Sequence, residues 1–403
     1  MTATLYAYAF LDEFVLLYPV YALLFADSGL SVGQISSLFV LWSLTGVLLE
    51  VPSGAWADAV SRRLLLWIGP LLGAAGFALW VLFPSYWAFA AGFVLWGARG
   101  ALGSGALEAL VYEELDRAGA ADRYARLTGR AHAVGQVAVM AAMGLAGPVF
   151  AAGGYPAVGA ASVLACLLCA ATATRFPEHR TPAPDESEEG GAENGHGGDD
   201  GDGGEGGRGG RARSLRAGLA GLRRDRPLLG ALLLVPAVSA VWGALDEYTS
   251  LLVRETGVPD AAVPYLLMVI WAAVAAGSLL AGTAERLGGP GLAALLAGGA
   301  LLLAAGALTG TASGIALVAL AFGGFQLATV LADVRLQQRI EGSGRATLTS
   351  VASLGTEVMT IAVYGAYGAL GSTFPHGVVF ALCAVPYLVT ALTMSAVARG
   401  RGR

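Results

Sequence analysis

Lysine is absent from this chain, and all 24 basic residues of the 403 are arginine. Charge of either sign is scarce, at 13% of residues against the roughly 25% usual for a soluble domain. That leaves too little polar surface to cover a water-soluble protein of this length. Cysteine is almost missing too. Cys166 and Cys169 lie in an apolar helical stretch with no His or acid beside them in sequence, so packing is expected of them rather than metal or redox chemistry. Cys383 is alone. No glycine-rich segment has the Lys-Ser/Thr ending and strand–helix context of a phosphate loop, so neither ATP use nor any other cofactor is expected. No folded basic surface is present to hold nucleic acid. The alternating strands of about 10 residues that build an outer-membrane barrel are lacking as well. Nothing points to an enzyme.

Long apolar runs fill the space. Hydrophobic residues make up 56% of the chain and the mean hydropathy is +0.65. Runs of about 20 apolar residues suffice to cross a hydrocarbon layer of about 30 Å as helix. Twelve are expected: 4–26, 33–54, 64–83, 86–108, 131–151, 155–176, 227–252, 263–284, 290–310, 313–334, 346–370 and 375–397. The first starts almost at Met1, is too long for a signal segment and has no basic leader or cleavage site, so it is expected to remain as helix 1. The expected fold is an all-α membrane protein with two pseudo-symmetric six-helix bundles, 1–176 and 227–403. A cytoplasmic linker, 177–226, joins them.

Arginine sets the orientation. With the N-terminus in the cytoplasm, 22 of the 24 fall at the cytoplasmic face or its helix ends, in keeping with the positive-inside rule. Arg99 lies inside helix 4, and Arg254 alone falls outside. Both termini are therefore expected in the cytoplasm of a cell-membrane protein, acting as a monomer in the lipid bilayer. The net charge of −5 reflects one loop, because residues 185–205 hold nine Asp/Glu among glycines, a composition that cannot build a core. The following segment, 211–226, places Leu215, Leu219 and Leu222 on one helical face among arginines. It reads as a short surface helix or a topological anchor.

Several features recur in both halves. Gly54-Ala-Trp-Ala-Asp58-Ala-Val-Ser-Arg62-Arg63 after helix 2 is echoed by Ala281-Gly-Thr-Ala-Glu285-Arg286-Leu-Gly288 after helix 8. Gly129-Arg130-Ala131 matches Gly344-Arg345-Ala346. Leu11-Asp12-Glu13-Phe14 resembles Leu245-Asp246-Glu247-Tyr248, but at a different expected depth, so that echo is read as partly coincidental. Duplication of this kind is a mark of transporters built from repeats.

On these residues the chain resembles the major facilitator superfamily over nearly its whole length. Gly54, Ala57, Asp58, Arg62 and Arg63 match the family's motif between helices 2 and 3, while Trp56, Ala59 and Ser61 depart from it. Arg99-Gly-Ala-Leu-Gly103-Ser-Gly105 is similar to a helix 4 pattern of proton-linked members. Gly135, Gly144 and Gly147-Pro148 in helix 5 resemble the antiporter signature, with altered spacing. The resemblance implies alternating access, a small-molecule substrate and protons as partners, and no cofactor or metal.

Arg99 is the sharpest candidate, since a cation inside a span costs several kcal/mol unless it meets water or a partner. A carboxylate must carry the proton, because arginine does not titrate usefully. Asp12 and Glu13 are first in line. Being adjacent, they point about 100° apart, and depth alone leaves open which of the two faces the cavity. Glu357 in helix 11 is next, with Glu50 a further candidate near the end of helix 2. Asp246 and Glu247 are expected as an outer gate or rim charge. Gly54, Asp58, Arg62, Arg63, Glu285, Arg286 and Arg345 are expected at an inner gate, with Asp58 meeting the positive start of helix 11. Gly135, Gly144, Gly147 and Pro148 are assigned to helix packing. Trp42, Trp80, Trp96, Trp242 and Trp271 are expected mostly at lipid or its interface, with cavity lining the alternative. The function this supports is proton-coupled export of a lipophilic small molecule. A proton symporter for a small polar solute and a non-transporting sensor or scaffold are the alternatives.

Overall fold

A backbone in lipid has no water to bond, so each apolar run must close its hydrogen bonds within itself as helix. The computed structural model of the chain describes residues 1–59, 61–103, 105–177, 226–284, 286–340 and 345–401, and among these there is no strand. Eight helices among the described residues are long and apolar enough to cross a membrane. The acidic stretch and most of the arginine–leucine segment of the linker lie outside the described residues.

The first run is two helices, α1 (Thr2–Glu13) and α2 (Tyr21–Asp27), with a turn between them. That turn is core rather than loop, since Val15, Leu17 and Val20 are fully buried. Its freed peptide groups therefore need partners. Leu17 donates its N–H to Ser162 Oγ at 3.0 Å, and Ser162 donates onward to the Val158 carbonyl at 2.7 Å.

Next come α3 (Val32–Ala59), α4 (Arg62–Leu82), α5 (Tyr86–Gly103) and α6 (Ala106–Arg117). The fourth run thus breaks at Gly105, whose φ of +73° suits glycine alone. Pro70 inside α4 cannot donate to the Leu66 carbonyl one turn back. Tyr8 of α1 fills the vacancy by donating its hydroxyl to that oxygen at 3.2 Å.

The fifth and sixth runs form α7 (Tyr124–Ala173), 50 residues with non-helical backbone at Gly153 and Gly154. A straight helix of that length would reach about 75 Å, far beyond a bilayer core of about 30 Å. The chain doubles back there: Gly135 on one arm lies against Glu13, and Cys169 on the other reaches the Tyr8 carbonyl, both on α1.

The second half opens with α8 (Arg226–Asp246) and α9 (Thr249–Glu255), again a broken first span. It continues with α10 (Val263–Ala284), α11 (Gly289–Leu308), α12 (Gly314–Arg339), α13 (Arg345–Gly371), α14 (His376–Cys383) and α15 (Val385–Arg401). The Leu-Asp-Glu echo is therefore not a matter of chance depth. Asp12-Glu13 and Asp246-Glu247 both stand where the first helix of their half ends.

Within the first half α1 packs on α7, α4 on α5 and α7, and α3 on α5. Within the second, α10 and α11 pack on α12, α8 on α12 and α13, and α11 on α15. Across the halves α3 meets α13, α7 meets α10, and α2 meets α9. The tightest of these crossings lie at the end of the molecule away from the chain termini. A Cβ on Gly147 would stand 2.6 Å from the Ala261 carbonyl oxygen, and one on Gly368 2.8 Å from the Ser36 Cβ. Only glycine lets the backbones approach so closely.

Candidate functional site

Arg99 of α5 is buried, at 8% exposure, in a groove that α4 leaves open: a Cβ on Gly73 would stand 3.0 Å from Arg99 Nη1. Its Nη2 donates to Asp12 Oδ1 at 2.5 Å and to the Asp12 carbonyl at 2.8 Å. Because α1 ends one residue later, that carbonyl is free of the helical ladder. The two thiols complete the surround, with Cys166 Sγ 4.0 Å from Arg99 Nη1 and Cys169 Sγ 3.8 Å from Asp12 Oδ1. Cys169 thus does have acid company, and Cys166 a guanidinium, each drawn from another helix, which sequence neighbours do not reveal.

The adjacent carboxyl behaves differently. Glu13 faces a cavity of about 380 Å³, lined also by Tyr8, Asp12, Arg99, His132 and Gln136. It faces a second of about 190 Å³ as well, beside Trp96, Asp246, Glu247 and Trp271. Among the described residues Glu13 has no ion pair or hydrogen-bonding side chain. Gly135 gives it room, since a Cβ there would stand 3.3 Å from Glu13 Cγ.

A third cavity, about 490 Å³, lies between the halves and is lined by Trp42, Trp96, Glu247, Thr356, Glu357 and Tyr364. Asp246 and Glu247 are therefore not the rim charges expected. The break between α8 and α9 turns them into the cavities, and Glu247 borders two of the three. Charges that join the halves at the far end are others. Asp27, closing α2, pairs with Arg254 of α9 and accepts the Tyr155 hydroxyl at 2.5 Å. Nearby, the Glu255 carboxylate accepts the His376 and Gly377 N–H groups at 2.8 and 3.0 Å, at the positive start of α14. Tyr248 bonds Ser36 at 2.7 Å and stacks on Tyr367 with ring centres 3.6 Å apart. Sequence reasoning misses all of these contacts; its one hint is that Arg254 stands apart from every other arginine.

Trp42, Trp80, Trp96, Trp242 and Trp271 depart from a lipid-facing reading, whereas Trp87 is 79% exposed. Trp96 is stacked between Tyr18 (5.1 Å) and Trp42 (5.0 Å) and, with Trp271, lines a cavity. Trp80 is wholly buried and donates to the Phe89 carbonyl at 3.1 Å, while Trp242 donates to Thr329 Oγ1 at 3.1 Å.

Of the expected inner gate, Glu285 lies outside the described residues, as do the side chains of Asp58 and Arg345 and the surroundings of Gly54. Arg62 pairs with Glu113 of α6, within its own half, and Arg286 is exposed. Of the α7 glycines, Gly147 sits at a close crossing, whereas a Cβ on Gly144 would meet nothing within 4 Å. Pro148 is exposed beside Gly147.

A two-half helical bundle with broken helices ending at cavity-lining charges, around a central cavity, is transporter architecture. The sequence pattern of the family described as Major Facilitator Superfamily matches residues 2–361. The chain belongs to that superfamily. It is a multi-pass membrane transporter of small molecules, not an enzyme. A sequence comparison with curated proteins gives no match. Solved structures share the fold at low identity. The nucleoside transporter NupG aligns at a TM-score of 0.71 with 12% identity, covering 98% of each chain. The POT family transporter PepTSo aligns at 0.67 with 13% identity, over 99% of this chain and 97% of that one. A D-xylose-proton symporter aligns at 0.66 with 13% identity, over 98% and 95%.

Proposed function

We propose that this superfamily member exports a lipophilic small molecule in exchange for protons. It works by alternating access between a bundle of residues 1–176 and one of residues 227–403, joined by the linker 177–226. It sits as a monomer in the cell membrane with both termini cytoplasmic, and the far end is then the outer one. The observation that carries this reading is the division of labour where α1 ends. Arg99 holds Asp12, while the neighbouring Glu13 faces two cavities without a partner among the described residues. Glu13 is the carboxyl free to take a proton from one side and yield it to the other. Asp12 and Arg99 keep the end of α1 in register while it does so.

The aromatic lining of the central cavities supports a greasy cargo, and the Asp27–Arg254 pair supports an outer side held shut. Glu357, on the wall of the cavity of about 490 Å³, borders the cargo. We assign the opposite gate to Gly54, Asp58, Arg62, Arg63, Glu285, Arg286 and Arg345. Asp58 ends α3 and Arg345 begins α13, and these two helices pack together across the halves.

The test is proton flux in proteoliposomes, with cargo supplied on one side from a panel of hydrophobic compounds. Exchange predicts that protons leave the compartment that cargo enters, and that Glu13→Gln abolishes this movement while the protein remains folded. Protons moving in the same direction as cargo would establish symport instead.

A further inference from the structure

The two acid pairs at the ends of α1 and α8 are alike in sequence but not in company. In the first half, the groove over Gly73 of α4 admits Arg99, which holds Asp12. In the second half the corresponding helices are α11 and α12, and the groove over Gly299 is filled by Phe325. A Cβ on Gly299 would stand 2.7 Å from the Phe325 ring, which stacks on Tyr387 with centres 3.9 Å apart. Among the described residues no guanidinium reaches Asp246 or Glu247, and neither acid has an ion pair or a hydrogen-bonding side chain.

Glu13, Asp246 and Glu247 surround the same 190 Å³ cavity, and among the described residues no Arg or His lines it or its 490 Å³ neighbour. Arg99 is committed to Asp12, and Arg254 to Asp27. The carbonyl ends of α1 and α8 add partial negative charge at the same place. A separate observation points to a guest. Ser250 is 5% exposed and lines this cavity, yet its hydroxyl makes no hydrogen bond among the described residues. Trp42, Trp96 and Trp271 line the same cavity, and aromatic rings attract cations over anions. A bare metal ion would leave that aromatic wall unused, and a neutral guest would leave the acids uncompensated.

We propose that the cavity between Glu13, Asp246 and Glu247 binds the positive charge of a lipophilic organic monocation. The cation's apolar groups spread over Trp42, Trp96 and Trp271 into the larger cavity. This names the cargo class of the site assigned above and rests on the reading that the cavity is the transport site.

The probes are tetraphenylphosphonium and its neutral relative triphenylphosphine oxide, titrated into the full chain in lipid nanodiscs with tryptophan fluorescence as readout. The wild type is expected to bind the cation at least tenfold tighter than the oxide. Glu247→Gln and Asp246→Asn are each expected to weaken cation binding about tenfold and to leave oxide binding unchanged, with Ser250→Ala giving a smaller loss. Equal affinity for the two probes in the wild type overturns the proposal, with no variant needed. So does unchanged cation binding by a monodisperse Asp246→Asn/Glu247→Gln double variant. Tight, acid-dependent cation binding without proton movement in proteoliposomes would uphold this site and defeat the coupled-export reading. Proton exchange driven only by neutral compounds would do the reverse.

Discussion

Arg99 grips Asp12 through one nitrogen, Nη2, which donates to both the side-chain Oδ1 (2.5 Å) and the main-chain carbonyl (2.8 Å) of that residue. The contact fixes the last turn of α1 against α5, and so fixes where the next residue, Glu13, projects. Under the proposed function, position and proton chemistry fall to neighbouring carboxyls with different duties.

Removing Asp12 leaves a buried guanidinium without its counter-charge, a change that costs about 3 kcal/mol when both partners are buried and less here, where the Asp12 side chain is one-third exposed. Asp12→Asn is therefore expected to lower the melting temperature of the detergent-purified protein clearly. Glu13→Gln breaks no contact and is expected to leave melting almost unchanged while stopping proton movement. Equal melting temperatures for the two variants would contradict this separation.

Tyr8 and Pro70 are linked through the Leu66 carbonyl, which the proline leaves without a helical donor and the tyrosine hydroxyl fills at 3.2 Å. Interhelical hydrogen bonds in membranes contribute about 0.6 kcal/mol on average, so Tyr8→Phe is expected to cost roughly that. In a Pro70→Ala background the helix can bond Leu66 itself, and Tyr8→Phe should then cost less. A double-mutant cycle on melting or on denaturation in mixed micelles measures the coupling, and strict additivity would show that the carbonyl is not the link.

Asp27 and Arg254 join the halves at the far end with both side chains about one-third exposed. Partly exposed pairs contribute about 0–1 kcal/mol, which limits their effect on a two-state equilibrium to about fivefold. Asp27→Asn is expected to raise the share of molecules open at that end by a few-fold, and high salt should do the same to the wild type. The exchanged pair, Asp27→Arg with Arg254→Asp, is expected to restore closure. Labelling of a cysteine introduced at Ser36 reports it, since Ser36 is buried while that end is shut. Labelling that is indifferent to all three changes would remove the lock.

Much of the fold is legible because apolar length is a strong signal: each of the twelve runs is occupied by described helix, and the family follows from the same residues. Arg99 stands out because a lone cation in an apolar run must meet either water or a counter-charge. Its partner does not, because sequence gives depth along a helix but not the direction a side chain takes. The breaks after Glu13 and Asp246 are hidden for a related reason. Residues 14–20 are almost wholly apolar, so nothing but Pro19 marks them as a turn, and the Leu17 N–H freed there is satisfied by Ser162, 145 residues away along the chain. Asp246 and Glu247 consequently read as rim charges until the turn carries them inward. The Asp27–Arg254 pair joins two loop-end charges 227 residues apart, and no local pattern connects them.

Gly147 and Gly144 lie one turn apart on α7 and make opposite predictions. A methyl on Gly147 would meet the Ala261 carbonyl at 2.6 Å and the Tyr265 ring at 2.8 Å, whereas one on Gly144 would meet nothing within 4 Å. Gly147→Ala must therefore push α7 away from α10 at the far end, where the halves close on each other. Gly144→Ala only replaces a helix-interior glycine by the best helix former, a change that is neutral to about 1 kcal/mol stabilising. The expected outcome is that Gly147→Ala lowers transport and raises far-end accessibility of the Ser36→Cys label, while Gly144→Ala transports normally and melts no lower than the wild type. Because both substitutions add the same methyl to the same helix, loss of transport in both would mean that helix rigidity, rather than contact between the halves, is what these glycines control.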